Sequence, residues 1–233
     1  MELIKSLEEF YDGKLLLVNK PLDWTSFDVV NKIRGTIQHK RNKIKVGHAG
    51  TLDPLATGLL IICTGKMTKS IQEFQDLDKG YSGEITLGKT TPSYDAETEV
   101  DNNFPTEHIT KEMIISTAKD MEGEQEQYPP IFSAIKINGK TAYKEARKGR
   151  EIELSSRKID IKKFDILKVE MPVVEFFVEC SKGTYIRSLA HDFGKKLNSG
   201  GYLSKLQRES IGNFNLKDAY NLSDLIANIE AIK

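Results

Sequence analysis

The clearest alternation in the chain is "VVEFFVEC", where Val174, Phe176, Val178 and Cys180 share one face while Glu175 and Glu179 take the other. That two-residue period predicts a half-buried strand. After the turn "SKG", Ile186, Leu189, Ala190, Phe193 and Leu197 recur at helical spacing, with Lys195 and Lys196 near the end, where cations suit the helix dipole. Tyr185 and Arg187 therefore fall where a strand hands over to a helix N-terminus. Upstream, "KLLLVNKP" (Lys14 to Pro21) reads as a buried strand ending at a proline turn. "TSFDVVNKIRGTI" then predicts a helix with Thr25 or Ser26 as N-cap and Phe27, Val30, Ile33 and Ile37 on its apolar side. Leu59 to Cys63 predicts a strand, Thr68 to Phe74 a helix, and Tyr81 to Gly88 another strand. "NLSDLIANIEAIK" closes the pattern as a helix, with Ser223 as N-cap candidate and Leu225, Ile226, Ile229 and Ile232 apolar. Strands joined both by helices and by short turns predict a mixed α/β fold with helices packed on a sheet, rather than a strict doubly wound repeat.

Composition adds bounds. A chain of 233 residues with 39% hydrophobic and 29% charged residues is an ordinary globular protein that can bury its own core. The N-terminus lacks the apolar core of a signal peptide, and "LLIIC" is far too short to span a bilayer, so a cytoplasmic location is expected. Cys63 and Cys180 lie in strand-like runs and fit no metal or redox spacing, which predicts buried structural thiols. His39, His48, His108 and His191 are scattered, and no zinc motif is present.

The net charge is zero, but the charge is segregated. "KIRGTIQHKRNKIK" (Lys32 to Lys45) holds six Lys or Arg and no acid, and "KINGKTAYKEARKGR" (Lys136 to Arg150) holds six against Glu145. Acids gather instead in "YDAETEVD" and "KDMEGEQE". Such a layout permits a basic face that meets phosphates, although two solvated surfaces would look the same.

Against this background Asp53 stands out. Between Val29 and Gln72 it is the only acid, where the average of 34 in 233 would give about six. Asp-Pro starts turns, which offers a purely structural role. Gly47, Gly50 and Gly58 around it, however, suit positive φ and a close backbone approach to a ligand. An ionised carboxylate without metal ligands can be a nucleophile, a general base or half of an ion pair. A glycosidase would want a second carboxylate nearby, and the local sequence offers none.

"GHAGTLDPLATGLL" resembles the catalytic motif of the bacterial tRNA pseudouridine-55 synthases. Further blocks agree in order. "NKPLDWTSFDVV" is similar to the family's N-terminal block, with Asp23 where a glycine is usual. "DKGYSGEITLGKTTPSYDAE" is similar to the block holding its active-site tyrosine, "PPIFSAIKINGKTAYKEARKG" to a further segment, and "CSKGTYIRSLAHDFG" to the block with a tyrosine and an arginine. The resemblance runs from Lys14 to about Gly212.

It implies the pseudouridine synthase fold, a mixed and mostly antiparallel sheet, as a single catalytic domain over residues 1–233 without the C-terminal PUA module of longer members. It implies isomerisation of the T-loop uridine of tRNA, with the base flipped out and no cofactor or metal. Asp53 would act on the uridine and Arg187 would pair with it. Tyr81 would stack on the base, Tyr185 and Leu206 would line the uracil pocket, His48 would fill space in the rearranged T-loop, and Lys20 would support the pocket wall. The expected partner is the tRNA T-arm, met by a monomer with no membrane attachment. Two rivals are a non-catalytic RNA binder on the same scaffold and a nucleoside glycosidase that would release uracil.

Overall fold

The computed structural model describes residues 4–38, 43–132, 136–137, 140–141 and 154–232. In chain order these form α1 (Glu8–Asp12), β1 (Leu15–Lys20), α2 (Ser26–Ile37), β2 (Val46–His48), β3 (Ala56–Thr64) and, after a 3-10 turn, α3 (Ile71–Asp76). Then come β4 (Lys79–Leu87), β5 (Lys89–Thr90), β6 (Asn102–Asn103), α4 (Lys111–Asp120), β7 (Gly123–Gln127), β8 (Lys136–Ile137) and β9 (Lys140–Thr141). The remainder is β10 (Arg157–Glu170), β11 (Val173–Cys180), α5 (Ile186–Lys196), β12 (Gly201–Ile211), β13 (Phe214–Asn215), β14 (Tyr220–Asn221) and α6 (Leu222–Ala231). This is the expected mixed α/β fold, and most strand pairings are antiparallel. The basic stretch 136–150 lies almost wholly outside the described residues, as does 39–42 of the first basic stretch.

The chain forms two compact units, residues 1–81 with 206–233 and residues 82–205, whose boundaries fall inside β4 and β12. In the first unit the strand order is β14-β1-β3-β12, with β2 on β3 and β13 on β12. The uninterrupted apolar run of β3 has a physical reason, because both faces of the strand are covered. Leu60 and Ile62 join a cluster with Val18, Val30, Ile33 and Ile229, while Leu59, Ile61 and Cys63 pack on the other side with Ile211. In the second unit β4, β11, β10 and β7 follow one another. Phe164 there meets Phe176 edge-on at 5.7 Å and Phe193 of α5 at 5.4 Å. Val174, Phe176, Val178 and Cys180 are all buried, as the alternation predicts.

Helix α2 starts where its sequence says it should. Thr25 accepts from the Asp28 backbone at 3.0 Å while Asp28 accepts from the Thr25 backbone at 2.9 Å, a reciprocal cap contributing about 1 kcal/mol. Two expectations need correction. Phe27 is 58% exposed and lies beneath the Arg34 guanidinium instead of in the core, its place on the buried side being taken by Val29. The N-cap of α6 is Asn221, so the helix starts two residues earlier than the capping chemistry of Ser223 suggests, and Ser223 already sits inside it.

Candidate functional site

The loop carrying Asp53 lies in the first unit and is anchored at nearly every neighbouring residue. The Ala49 amide donates to Ile61 O at 2.9 Å, and the Leu52 amide donates to the buried Ser26 Oγ at 2.8 Å, which donates back to Leu52 O at 3.2 Å. Pro54 O accepts from the Asp23 amide at 2.9 Å and from Lys20 Nζ at 3.3 Å. The Ala56 amide closes the turn on Asp53 O at 3.1 Å. With so many backbone groups satisfied by fixed partners, the carboxylate is presented from a rigid support.

Asp23 explains the departure in the first block. Its φ is +63°, the left-handed conformation that glycine adopts freely and that aspartate tolerates better than most residues. The turn is therefore kept without the glycine, and its amide still reaches Pro54. Gly50 and Gly58 have φ of +94° and +105°, as their placement suggests. Gly47 does not have a positive φ. A Cβ there would meet only the terminal Cδ1 of Ile71, at 2.7 Å, a side-chain end that can move aside.

Lys20 is fully buried, and its three ammonium protons find three backbone oxygens, Pro21 O at 2.9 Å, Trp24 O at 2.5 Å and Pro54 O. Burial pushes its pKa down to about 8, a shift opposed by Asp53 and Asp23 and reinforced by Arg208. So Lys20 does more than support a wall: it ties the end of β1 and the turn after it to the residue following Asp53.

Arg208 is the site residue that sequence reading missed. Only 1% exposed, it donates from Nε to Leu59 O at 2.7 Å and from Nη2 to Gly50 O at 3.0 Å. Register puts it opposite Gly58 in the parallel β3–β12 pair, with Leu206 opposite Ala56. A Cβ on Gly58 would lie 2.4 Å from Arg208 O. The only available signal was an arginine two residues after Leu206 in an otherwise strand-like run.

His48, half-buried at the end of β2, is held below the ordinary histidine pKa first by burial and then by Arg208. Its Nδ1 makes no well-formed hydrogen bond, and the Gly50 backbone beside it opposes the downward shift without reversing it. Tyr81 is almost buried in β4, and Leu206 is half-buried in β12. Thus the first unit brings Lys20, Asp53, His48 and Leu206 around one loop and one buried arginine.

Tyr185 and Arg187 belong to the second unit. Tyr185 is the N-cap of α5, and the side-chain amide of the buried Gln127 holds it by both backbone groups. Oε1 accepts from the Tyr185 amide at 2.8 Å, and Nε2 donates to Tyr185 O at 3.0 Å. The Arg157 guanidinium lies over its ring at 4.9 Å. Arg187, 6% exposed, faces Asp95 Oδ2 at 3.5 Å and donates to Phe132 O at 2.9 Å and Ser93 O at 3.4 Å. Asp95 is a second missed residue, hidden in a run of acids that reads as a solvated loop. Among the described residues, His, Cys, Asp and Glu nowhere gather in threes in a manner that would hold a metal ion.

The model of the TruB family pseudouridylate synthases (N-terminal domain) matches residues 36–186, and the chain belongs to this family. It is 53% identical over 219 residues to the tRNA pseudouridine synthase B of Flavobacterium johnsoniae, covering 93% of this chain and 96% of the relative. It is 52% identical to the protein of the same name from Parabacteroides distasonis over 89% of each chain. Among solved structures it is similar to a chain of the crystal structure of a Cbf5-Nop10-Gar1 complex, with TM-score 0.72 and 28% identity. That match covers 95% of this chain and 56% of the other, so this chain spans little more than half of it.

Proposed function

We propose that this member of the family isomerises the T-loop uridine at position 55 of tRNA to pseudouridine. The observation that carries the reading is Asp53, set on a loop most of whose neighbours are fixed by hydrogen bonds, in a chain similar over most of its length to a protein named tRNA pseudouridine synthase B. The reaction breaks the N1–C1′ bond, turns the uracil and rejoins it through C5. Atoms and oxidation state are conserved, so the side chains of the protein can carry it without a cofactor.

In this reading Asp53 is the essential carboxylate. Arg187 pairs with it, Tyr81 stacks on the uracil, Tyr185 and Leu206 line its pocket, and His48 occupies space in the opened T-loop. Lys20 and Arg208 hold the loop, and Asp95 orients Arg187. The base is flipped out of its stack to reach Asp53. The basic stretches hold the T-arm backbone. Residues 1–233 act as a single catalytic domain, as a monomer in the cytoplasm.

The test is to incubate the protein with unmodified tRNA, without added cofactor, and to map pseudouridine by carbodiimide treatment and primer extension. Modification at the T-loop uridine is expected. Released uracil would indicate a glycosidase, and binding without modification would indicate an RNA-binding protein.

A further inference from the structure

Helix α5 grips the turn at residues 93–95 twice. Arg187 and His191, four residues apart, project from one face of the helix. Arg187 takes Ser93 O and Asp95 Oδ2, while the His191 ring stacks on Tyr94 with centroids 3.9 Å apart and planes 14° from parallel. Tyr94 has φ of +63°, a conformation unfavourable for an aromatic residue that persists only where surrounding contacts hold it.

That conformation aims Asp95 at Arg187. Asp95 Oδ1 accepts from Ser93 Oγ at 2.6 Å and from the Glu97 amide at 2.9 Å, leaving Oδ2 for the guanidinium. Tyr94 O is fixed by the Leu203 amide at 3.0 Å. The Tyr94 side chain, by contrast, is set by its stack on His191. Burial keeps His191 below the ordinary histidine pKa, with Lys195 reinforcing and Asp192 and Asp101 opposing, which favours the neutral ring.

We propose that the Tyr94–His191 stack is a positioning element for the Asp95–Arg187 pair, holding the strained turn so that the carboxylate meets the guanidinium in one geometry. Both rings act through Asp95. The inference deepens the proposed activity and rests on that reading for its kinetic consequence, but not for its structural one.

The test uses His191→Ala, Tyr94→Gly, His191→Phe and Tyr94→Phe in the full chain. Tyr94→Gly removes the ring while easing the positive φ, so backbone strain is not the cause of any loss. The Ala and Gly variants are expected to exchange the Glu97 amide faster with deuterium. They should also lose about tenfold in kcat on a T-arm stem-loop, with KM within about twofold. The two Phe variants keep a stacked ring and should stay within about threefold of wild type in kcat. Unchanged Glu97 exchange, or kcat within about twofold of wild type in the Ala and Gly variants, overturns the proposal. If the wild type forms no pseudouridine, the proposed activity fails, and the exchange measurement alone decides the positioning role.

Discussion

Arg208 and Gly50 are joined beneath the Asp53 loop: the guanidinium donates to Gly50 O at 3.0 Å and, through Nε, to Leu59 O at 2.7 Å, closing both ends of the loop with one side chain. Truncation to Arg208→Met should strand two buried carbonyls and cost roughly 2–4 kcal/mol, lowering Tm by about 5–10 °C. Thermal denaturation checks the first number. Turnover at a temperature where the variant remains folded should still be reduced, because Asp53 loses its support.

Gly58 and Gly50 should respond differently to alanine. Both need a positive φ, but a Cβ on Gly58 collides with the Arg208 backbone at 2.4 Å, whereas one on Gly50 meets Arg208 Nη1 at an ordinary 3.6 Å. Gly50→Ala should cost about 1–2 kcal/mol from strain alone, and Gly58→Ala more than about 4 kcal/mol. Denaturant midpoints order the two, and equal losses would refute the steric argument.

Lys20 gives the site a pH dependence. Its ammonium matches three protons to three oxygens, and loss of a proton above about pH 8 leaves one of them unserved. Asp53, Asp23 and Asp28 favour the charged form, and Arg208 opposes it. Turnover should fall as pH rises through about 8, and Lys20→Met should be slow and lack that limb. Stability moves the other way. Between about 8 and the ordinary lysine value of 10.5 the unfolded chain holds more protons, so raising the pH through this window relieves the penalty of burying the charge.

Asp53→Asn should abolish pseudouridine formation while leaving T-arm affinity within about threefold, since exchanging one carboxylate oxygen for an amide nitrogen keeps the side chain's shape and removes no contact to phosphate. Arg187→Ala should lose most activity. Asp95→Asn should lose about tenfold or more while keeping the fold, because Arg187 retains Phe132 O and Ser93 O as acceptors. Primer-extension mapping and filter binding on the same RNA separate these outcomes.

Much of this architecture is legible in the sequence, and the parts that are not share a cause. Period-two alternation in 173–180 and helical spacing in 186–197 specify elements because each face meets a different medium. Thr25 identifies its helix start because capping is local chemistry. Phe27 misled because a helix has more apolar positions than its buried face uses. Asp53 was visible through its isolation among basic residues. Arg208 and Asp95 were not, because their meaning comes from partners 158 residues away for Arg208 and Gly50, and from Arg187, far along the chain, for Asp95. Lys20 was named only through the resemblance, as support for the pocket wall, and only the fold shows three carbonyls converging on it.

The parallel pairing of β3 with β12 also orders events in time. Gly58 sits against Arg208, and Thr57 bonds to Gln207 at a separation of 150 residues. During synthesis the segment bearing Asp53 leaves the ribosome long before the strand that clamps it. Until residue 208 has emerged, Gly50 O and Leu59 O have no guanidinium to meet, and the loop lacks its mould. The Asp53 loop therefore gains its Arg208 clamp only once almost the whole chain has been made.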